Sequence, residues 1–276
     1  MTTEFILPTI FFVCIIILHV LRRREITRRG VSLVNPAYEL GAASTFGTRA
    51  TQQDYFGVKE FDGALLMLLA DGHGQHGDIA AKLTIDTFRN LFVNKAVVNK
   101  PQYFFQRAAN AANKKILNVL EERQGESSVA AVMINNAQLF YTLVGNIRVA
   151  VFRNGDLIPV SEGQTLDVLA WHRYEQGRIS KRETLALLNK HRCYNFLGQD
   201  SFEEIELFSK PIELRKDDLV VVMSEGVFNT LRWKELEEIL EQNKSVQALA
   251  DFIKNCVDKS AMVDKANATV LLCRQA

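Results

Sequence analysis

The chain has 276 residues, 47% of them hydrophobic and 24% charged, and a formal net charge of +1. That is material for one large globular domain, or one domain plus a small appendage, and it excludes a disordered chain and a nucleic-acid partner recruited by overall charge. The four cysteines, Cys14, Cys193, Cys256 and Cys273, show no Cys-x-x-Cys or Cys/His ligand spacing, so they read as free thiols in a reducing compartment.

In chain order, the first element is an apolar run. Residues 5–21 carry no charge, and Arg22, Arg23, Arg24, Arg28 and Arg29 follow. At about 1.5 Å per residue the run is at the short end of a membrane span. A cleaved signal peptide would carry its charge before the run and a small-residue cleavage site after it. Here the only charged residue before the run, apart from the amino terminus, is Glu4, and arginines stand where cleavage would fall. The expectation is a transmembrane anchor over 5–21 and a basic juxtamembrane linker over 22–37. Positive flanks stay inside, so everything after Arg22 is expected to be cytoplasmic. Arginines reaching lipid phosphates extend the membrane contact over residues 5–24.

From residue 38 onward, strand-like and helix-like runs alternate. Apolar runs over 64–69, 129–134, 138–143, 149–153, 219–223 and 269–273 predict strands. Runs over 79–92, 102–122, 233–242 and 246–258 predict helices; in the second, Phe105, Ala109, Ala112 and Ile116 recur at helical spacing. Asn135-Asn136 and Asn154-Gly155 each separate two strand-like runs, a hairpin signal. Hairpins favour antiparallel sheets, and grouped helices favour α+β layers.

The chemistry concentrates where the 64–69 run ends in Ala70-Asp71-Gly72-His73-Gly74-Gln75-His76-Gly77-Asp78. A strand that breaks into glycine-rich backbone beside a carboxylate brings an oxygen-rich metal site close to a phosphate; the plainer reading is a polar turn with Asp78 capping a helix. Upstream stand Arg49 and Asp54, an arginine fork five residues before a carboxylate, suited to a phosphoryl group beside a metal. Downstream come Gly145-Asn146-Ile147-Arg148, Met223-Ser224-Glu225-Gly226 and Asn267-Ala268-Thr269.

Taken in order, these stations resemble the PPM (type 2C) family of metal-dependent protein Ser/Thr phosphatases. They are similar to its Arg…Asp, Asp-Gly-His/Met-Gly, Gly-Asp-Ser-Arg, Ser-Asp-Gly and Asp-Asn-x-Thr motifs, with Thr165-Leu166-Asp167 at its Thr-x-Asp-His-Ser station, across roughly residues 38–274. The resemblance implies an α+β fold, a four-layer α-β-β-α sandwich of two antiparallel sheets flanked by helix pairs. The PPM-type domain spans 38–276, with a flap at about 165–200.

The resemblance also implies hydrolysis by water with two Mn²⁺ or Mg²⁺ ions and no covalent intermediate. Carried onto this chain, Asp71 bridges both metals, and Asp54 and the Gly72 carbonyl serve the second. Glu225 serves the first, Arg49 grips the phosphate, and His73 protonates the leaving alkoxide as a general acid. Three positions depart from the pattern. Asn146 and Glu225 replace aspartates, and Ala266 stands where a first-metal aspartate belongs, with Asp264 two residues earlier as a substitute.

Elsewhere the bland reading holds. His19, His172 and His191 are isolated, and His76 is a neighbour of His73. Trp171 and Trp233 pack in core or flap. Lys181-Arg182 and Lys190-His191-Arg192 form a solvated flap face. The function implied is a membrane-tethered, cytoplasmic phosphoprotein Ser/Thr phosphatase, with phosphorylated protein as substrate and no nucleic acid. The alternative is a catalytically impaired phosphatase-like module that binds a partner or phosphoprotein at the membrane.

Overall fold

Two-residue turns set the register of most of the structure. A computed structural model describes residues 37–120, 124–188, 192–200, 202 and 204–275. The turn Asp62-Gly63 joins β2 (Asp54–Phe61) to β3 (Ala64–His73), Asn136-Ala137 joins β4 (Glu126–Asn135) to β5 (Gln138–Val144), and Asn154-Gly155 joins β6 (Arg148–Arg153) to β7 (Asp156–Pro159). The paired φ values are 53° and 79°, 50° and 59°, and 54° and 89°. Positive φ at both central residues is the type I′ turn, whose twist matches that of the flanking strands. The middle turn falls one residue later than the Asn135-Asn136 expected, because Asn135 still pairs with Gln138.

The strands form two antiparallel sheets. One runs β2-β3-β4-β5-β8 (β8, Glu206–Leu207), with β9 (Ile212–Glu213) also on β5. The other runs β1-β11-β10-β6-β7, with β1 at Tyr38–Thr45, β10 at Leu219–Met223 and β11 at Ala268–Gln275. Helices α1 (Gly77–Leu91) and α3 (Pro101–Val119), joined through α2 (Lys95–Asn99), cover the first sheet. Helices α6 (Glu225–Thr230), α7 (Trp233–Leu240) and α8 (Val246–Lys259) cover the second. The flap holds α4 (Leu166–Glu175) and α5 (Lys181–Leu187), the latter opened by a Ser180/Glu183 capping box. The result is the expected four-layer order.

That layering explains why β3 reads as a continuous apolar run. From Ala64 to Ala70 every residue is at most 1% exposed, because one face meets α1 and the other meets the second sheet. Alternation appears only where one face is wet. Under α1 and α3, Phe88, Phe92, Phe104 and Phe105 are fully buried. Phe88 and Phe92 pack on Phe104 at 6.2 and 5.5 Å between ring centroids. Such rings each contribute roughly 1.5–3 kcal/mol on burial.

Several expectations shift. Helix ends move by a few residues: 79–92 becomes Gly77–Leu91, and 102–122 becomes Pro101–Val119. Strand β3 does not break before the glycines. It continues through Asp71, Gly72 and His73, which pair with Ser128, Ser127 and Glu126 of β4. Among the described residues no helix is long and apolar enough to cross a membrane. The expected anchor over 5–21, the linker up to residue 36, and Lys190 and His191 lie outside the described residues.

Candidate active site

Antiparallel pairing brings the stations to one end of the sandwich. Asp54 opens β2 and Asp71 lies near the end of β3. The Asp62-Gly63 turn makes them direct partners in register. On the facing sheet, β10 ends at Met223 and Glu225 opens α6, while Asn267 precedes β11. Between the two sheet ends is a cleft of about 440 Å³, lined among others by Arg49, Asp71, Gly72, His73, Glu225 and Ala266.

Two glycine contacts hold this end closed. A Cβ on Gly72 would lie 2.0 Å from the Gly77 carbonyl oxygen, so the end of β3 and the start of α1 touch backbone to backbone. A Cβ on Gly226 would lie 2.1 Å from the Asn267 oxygen. Any side chain at either position would push the cleft walls apart.

Asp54 and Asp71 are buried, 5% and 7% exposed. The Ser224 hydroxyl donates to Asp54 Oδ2 at 2.8 Å and accepts from the Thr269 amide at 2.8 Å. It therefore ties the end of one sheet to a carboxylate of the other. Asp54 Oδ1 has no hydrogen-bond partner. Burial, and then the charge of Asp71, push the Asp54 carboxyl well above the usual carboxylate range. Burial, and then the charge of Glu225, raise Asp71 to about 7. A buried carboxyl pair raised by burial and by neighbouring carboxylates is short of positive charge.

The remaining residues complete the cleft. His73 Nε2 lies 3.8 Å from Asp71 Oδ1. Ligand atoms of Asp71, His73 and Glu225 all fall within 4.8 Å of one another. Asn229 donates to Glu225 Oε1 at 2.8 Å and orients it. Arg49 Nη1 pairs with Asp264 Oδ1 at 3.2 Å, both largely exposed. Asp264 lines the same cleft but is paired with the arginine and stands outside the Asp71, His73 and Glu225 group. Asn146 is buried on the β5–β6 turn, with its amide nitrogen on the Ser128 hydroxyl, and does not line the cleft.

The orphaned Asp54 oxygen, the raised carboxyls and the hard-oxygen donor set fit divalent cations. Asp54, Asp71 and the Gly72 carbonyl would hold one, and Asp71 with Glu225 another.

No family model matches the chain. A serine/threonine phosphatase stp of Listeria monocytogenes is 25% identical over 235 residues, covering 81% of this chain and 90% of that one. The solved serine/threonine phosphatase of S. agalactiae superposes with a TM-score of 0.75 at 21% identity, over 87% of this chain and all of that one. The PPM Ser-Thr phosphatase MsPP of Mycobacterium smegmatis does so at 0.69 and 17%, over 89% and 100%. The chain resembles the PPM-type phosphatases in sequence and in fold.

Within the PPM-type frame, two residues matter more than their motifs suggested. Ser224 is the link between the sheets. Asn267 accepts from the Gln53 amide at 2.9 Å and donates to the carbonyls of Phe46 and Thr51, each at 3.0 Å. Those three bonds pin the loop that carries Arg49. Both stood in quoted stations of the sequence, but their work is in long-range partners that a linear motif does not name.

Proposed function

We propose that the chain is a metal-dependent phosphoprotein Ser/Thr phosphatase. The observation that carries this reading is the buried Asp54–Asp71 pair beside Glu225, with Arg49 on the same cleft. Divalent cations at these carboxylates supply positive charge that lowers the pKa of a water and neutralises phosphoryl oxygens. The chain's own groups do the rest. Arg49 offers a planar fork for two phosphoryl oxygens, in exchange for its exposed pairing with Asp264. Asn267 fixes the loop behind Arg49, and Ser224 fixes the direction of Asp54. The stp relative supports Ser/Thr phosphoprotein as the substrate class. The test is phosphate release from phosphoserine and phosphothreonine peptides by the full chain in detergent, with Mn²⁺ and with EDTA. Release that persists in EDTA would exclude this mechanism.

The proposal includes tethering. Residues 5–21 form a single-pass anchor and the domain faces the cytoplasm, a reading supported by the uncharged run and the arginines after it. Protease added outside sealed, right-side-out cells should spare the domain, and its digestion would reverse the orientation. A second reading, a phosphoprotein-binding module without turnover, draws on Ala266, whose methyl group lines the cleft and cannot ligate.

A further inference from the structure

We propose that His73 is a metal ligand in this chain, joining Asp71 and Glu225 around a first-row transition-metal dication in place of the carboxylate absent at Ala266. The inference deepens the phosphatase reading and rests on it only for the identity of the site. It replaces the general-acid role that the family resemblance gives to His73.

The argument starts with the strand. Because β3 runs through Gly72 to His73, Asp71 and His73 stand at positions i and i+2. Side chains at that spacing leave the same face of a strand. Nε2 and Asp71 Oδ1 are 3.8 Å apart, and the ligand atoms of Asp71, His73 and Glu225 lie within 4.8 Å of one another. With metal–ligand bonds of about 2.1 Å, adjacent ligands of one ion are separated by about 3.0–3.4 Å and opposite ones by about 4.2 Å. Side-chain shifts of up to about an ångström therefore close the set.

A separate observation points to cation binding beside this set, across Asp71. Asp54 is 5% exposed, pairs in register with Asp71, and has an Oδ1 with no hydrogen-bond partner. The other substitute for residue 266 is engaged, since Asp264 pairs with Arg49. Glu225 is already held by Asn229, the kind of outer contact that orients ligands. An imidazole nitrogen also changes the chemistry. Carboxylate and carbonyl sets suit Mg²⁺ and Mn²⁺, whereas imidazole adds preference for the later transition metals.

The experiment is equilibrium binding of Mn²⁺, Mg²⁺ and Co²⁺ to the full chain in detergent, with the visible Co²⁺ spectrum as a ligand-field signature. Wild type, His73→Ala, His73→Asn, Ala266→Asp and the His73→Ala/Ala266→Asp double variant are compared, each checked for folding by circular dichroism. The expected result is about 10–100-fold weaker Mn²⁺ at one site in both His73 variants, a smaller change for Mg²⁺, an altered Co²⁺ spectrum, and recovery of Mn²⁺ affinity in the double variant. Unchanged Mn²⁺ affinity and Co²⁺ spectrum in the folded His73 variants overturn the proposal. Turnover lost selectively for alkyl over nitrophenyl phosphates would then return His73 to proton donation. If the binding pattern holds while no phosphoprotein is hydrolysed, the functional reading fails and the ligand assignment stands.

Discussion

The two flanks of Asp71 are built on different terms. On one side stands Asp54, locked in register by a two-residue turn, held by Ser224 and sealed from solvent. On the other stand Glu225, at the first turn of a six-residue helix, and Ala266, in the segment before β11. The first flank presents a buried carboxyl oxygen without a hydrogen-bond partner. Against the PPM motifs, the second carries alanine and glutamate where aspartates are expected. The expected ligand set is kept where the scaffold fixes it on two strands, and departs where it hangs on connecting segments.

Removing what the flanks share should break the comparison most completely. Asp71→Asn takes a charge from both, and the loss of several kcal/mol of charge stabilisation corresponds to a fall in turnover on the order of 10³-fold. The same variant should stabilise the metal-free fold near neutral pH. The raised Asp71 carboxyl means that the folded state holds a proton the unfolded state releases. Stability is therefore full below about pH 4 and is lost as pH rises towards about 7. In EDTA, the Tm of the wild type should be lower at about pH 7.5 than at about pH 5, and that difference should shrink in Asp71→Asn. An equal difference in both would assign the pH dependence to other groups.

A smaller effect tests the eroded flank. Ala266→Asp adds one hard anionic oxygen and should tighten Mn²⁺ by about 10–100-fold. Glu225→Asp should act on the same ion, so that the two substitutions are non-additive. Calorimetric titration with turnover in parallel reads both. Tighter metal without faster turnover would favour the binding module over the enzyme.

The smallest effect belongs to the intact flank. Ser224→Ala leaves Asp54 Oδ2 and the Thr269 amide without their hydroxyl, and should cost about 1–3 kcal/mol of stability. Urea unfolding measures it. A loss below about 0.5 kcal/mol would mean that the hydroxyl does not tie the two sheets together.

Much of this was legible in the residues. The apolar run of β3 ending in Asp71-Gly72-His73, the two later hairpins and the long helices all carry strong local patterns. The edge strands do not. β1 and β2 each have half-exposed faces, so small and charged residues interrupt their alternation. Overlooking β2 hid the Asp62-Gly63 turn, although Asp-Gly is a strong hairpin signal. That turn alone sets Asp54 opposite Asp71. The meeting of Glu225 with that pair came only from the family resemblance, for a different reason. It depends on how two sheets stack, and no local pattern encodes that.

Strand β1 also fixes where the chain enters the sandwich. It enters at Tyr38, opposite Gln275, and reaches the cleft end at Thr45, opposite Ala268. The chain thus joins the sandwich at the pole away from the cleft, some 25 Å distant at about 3.3 Å per residue.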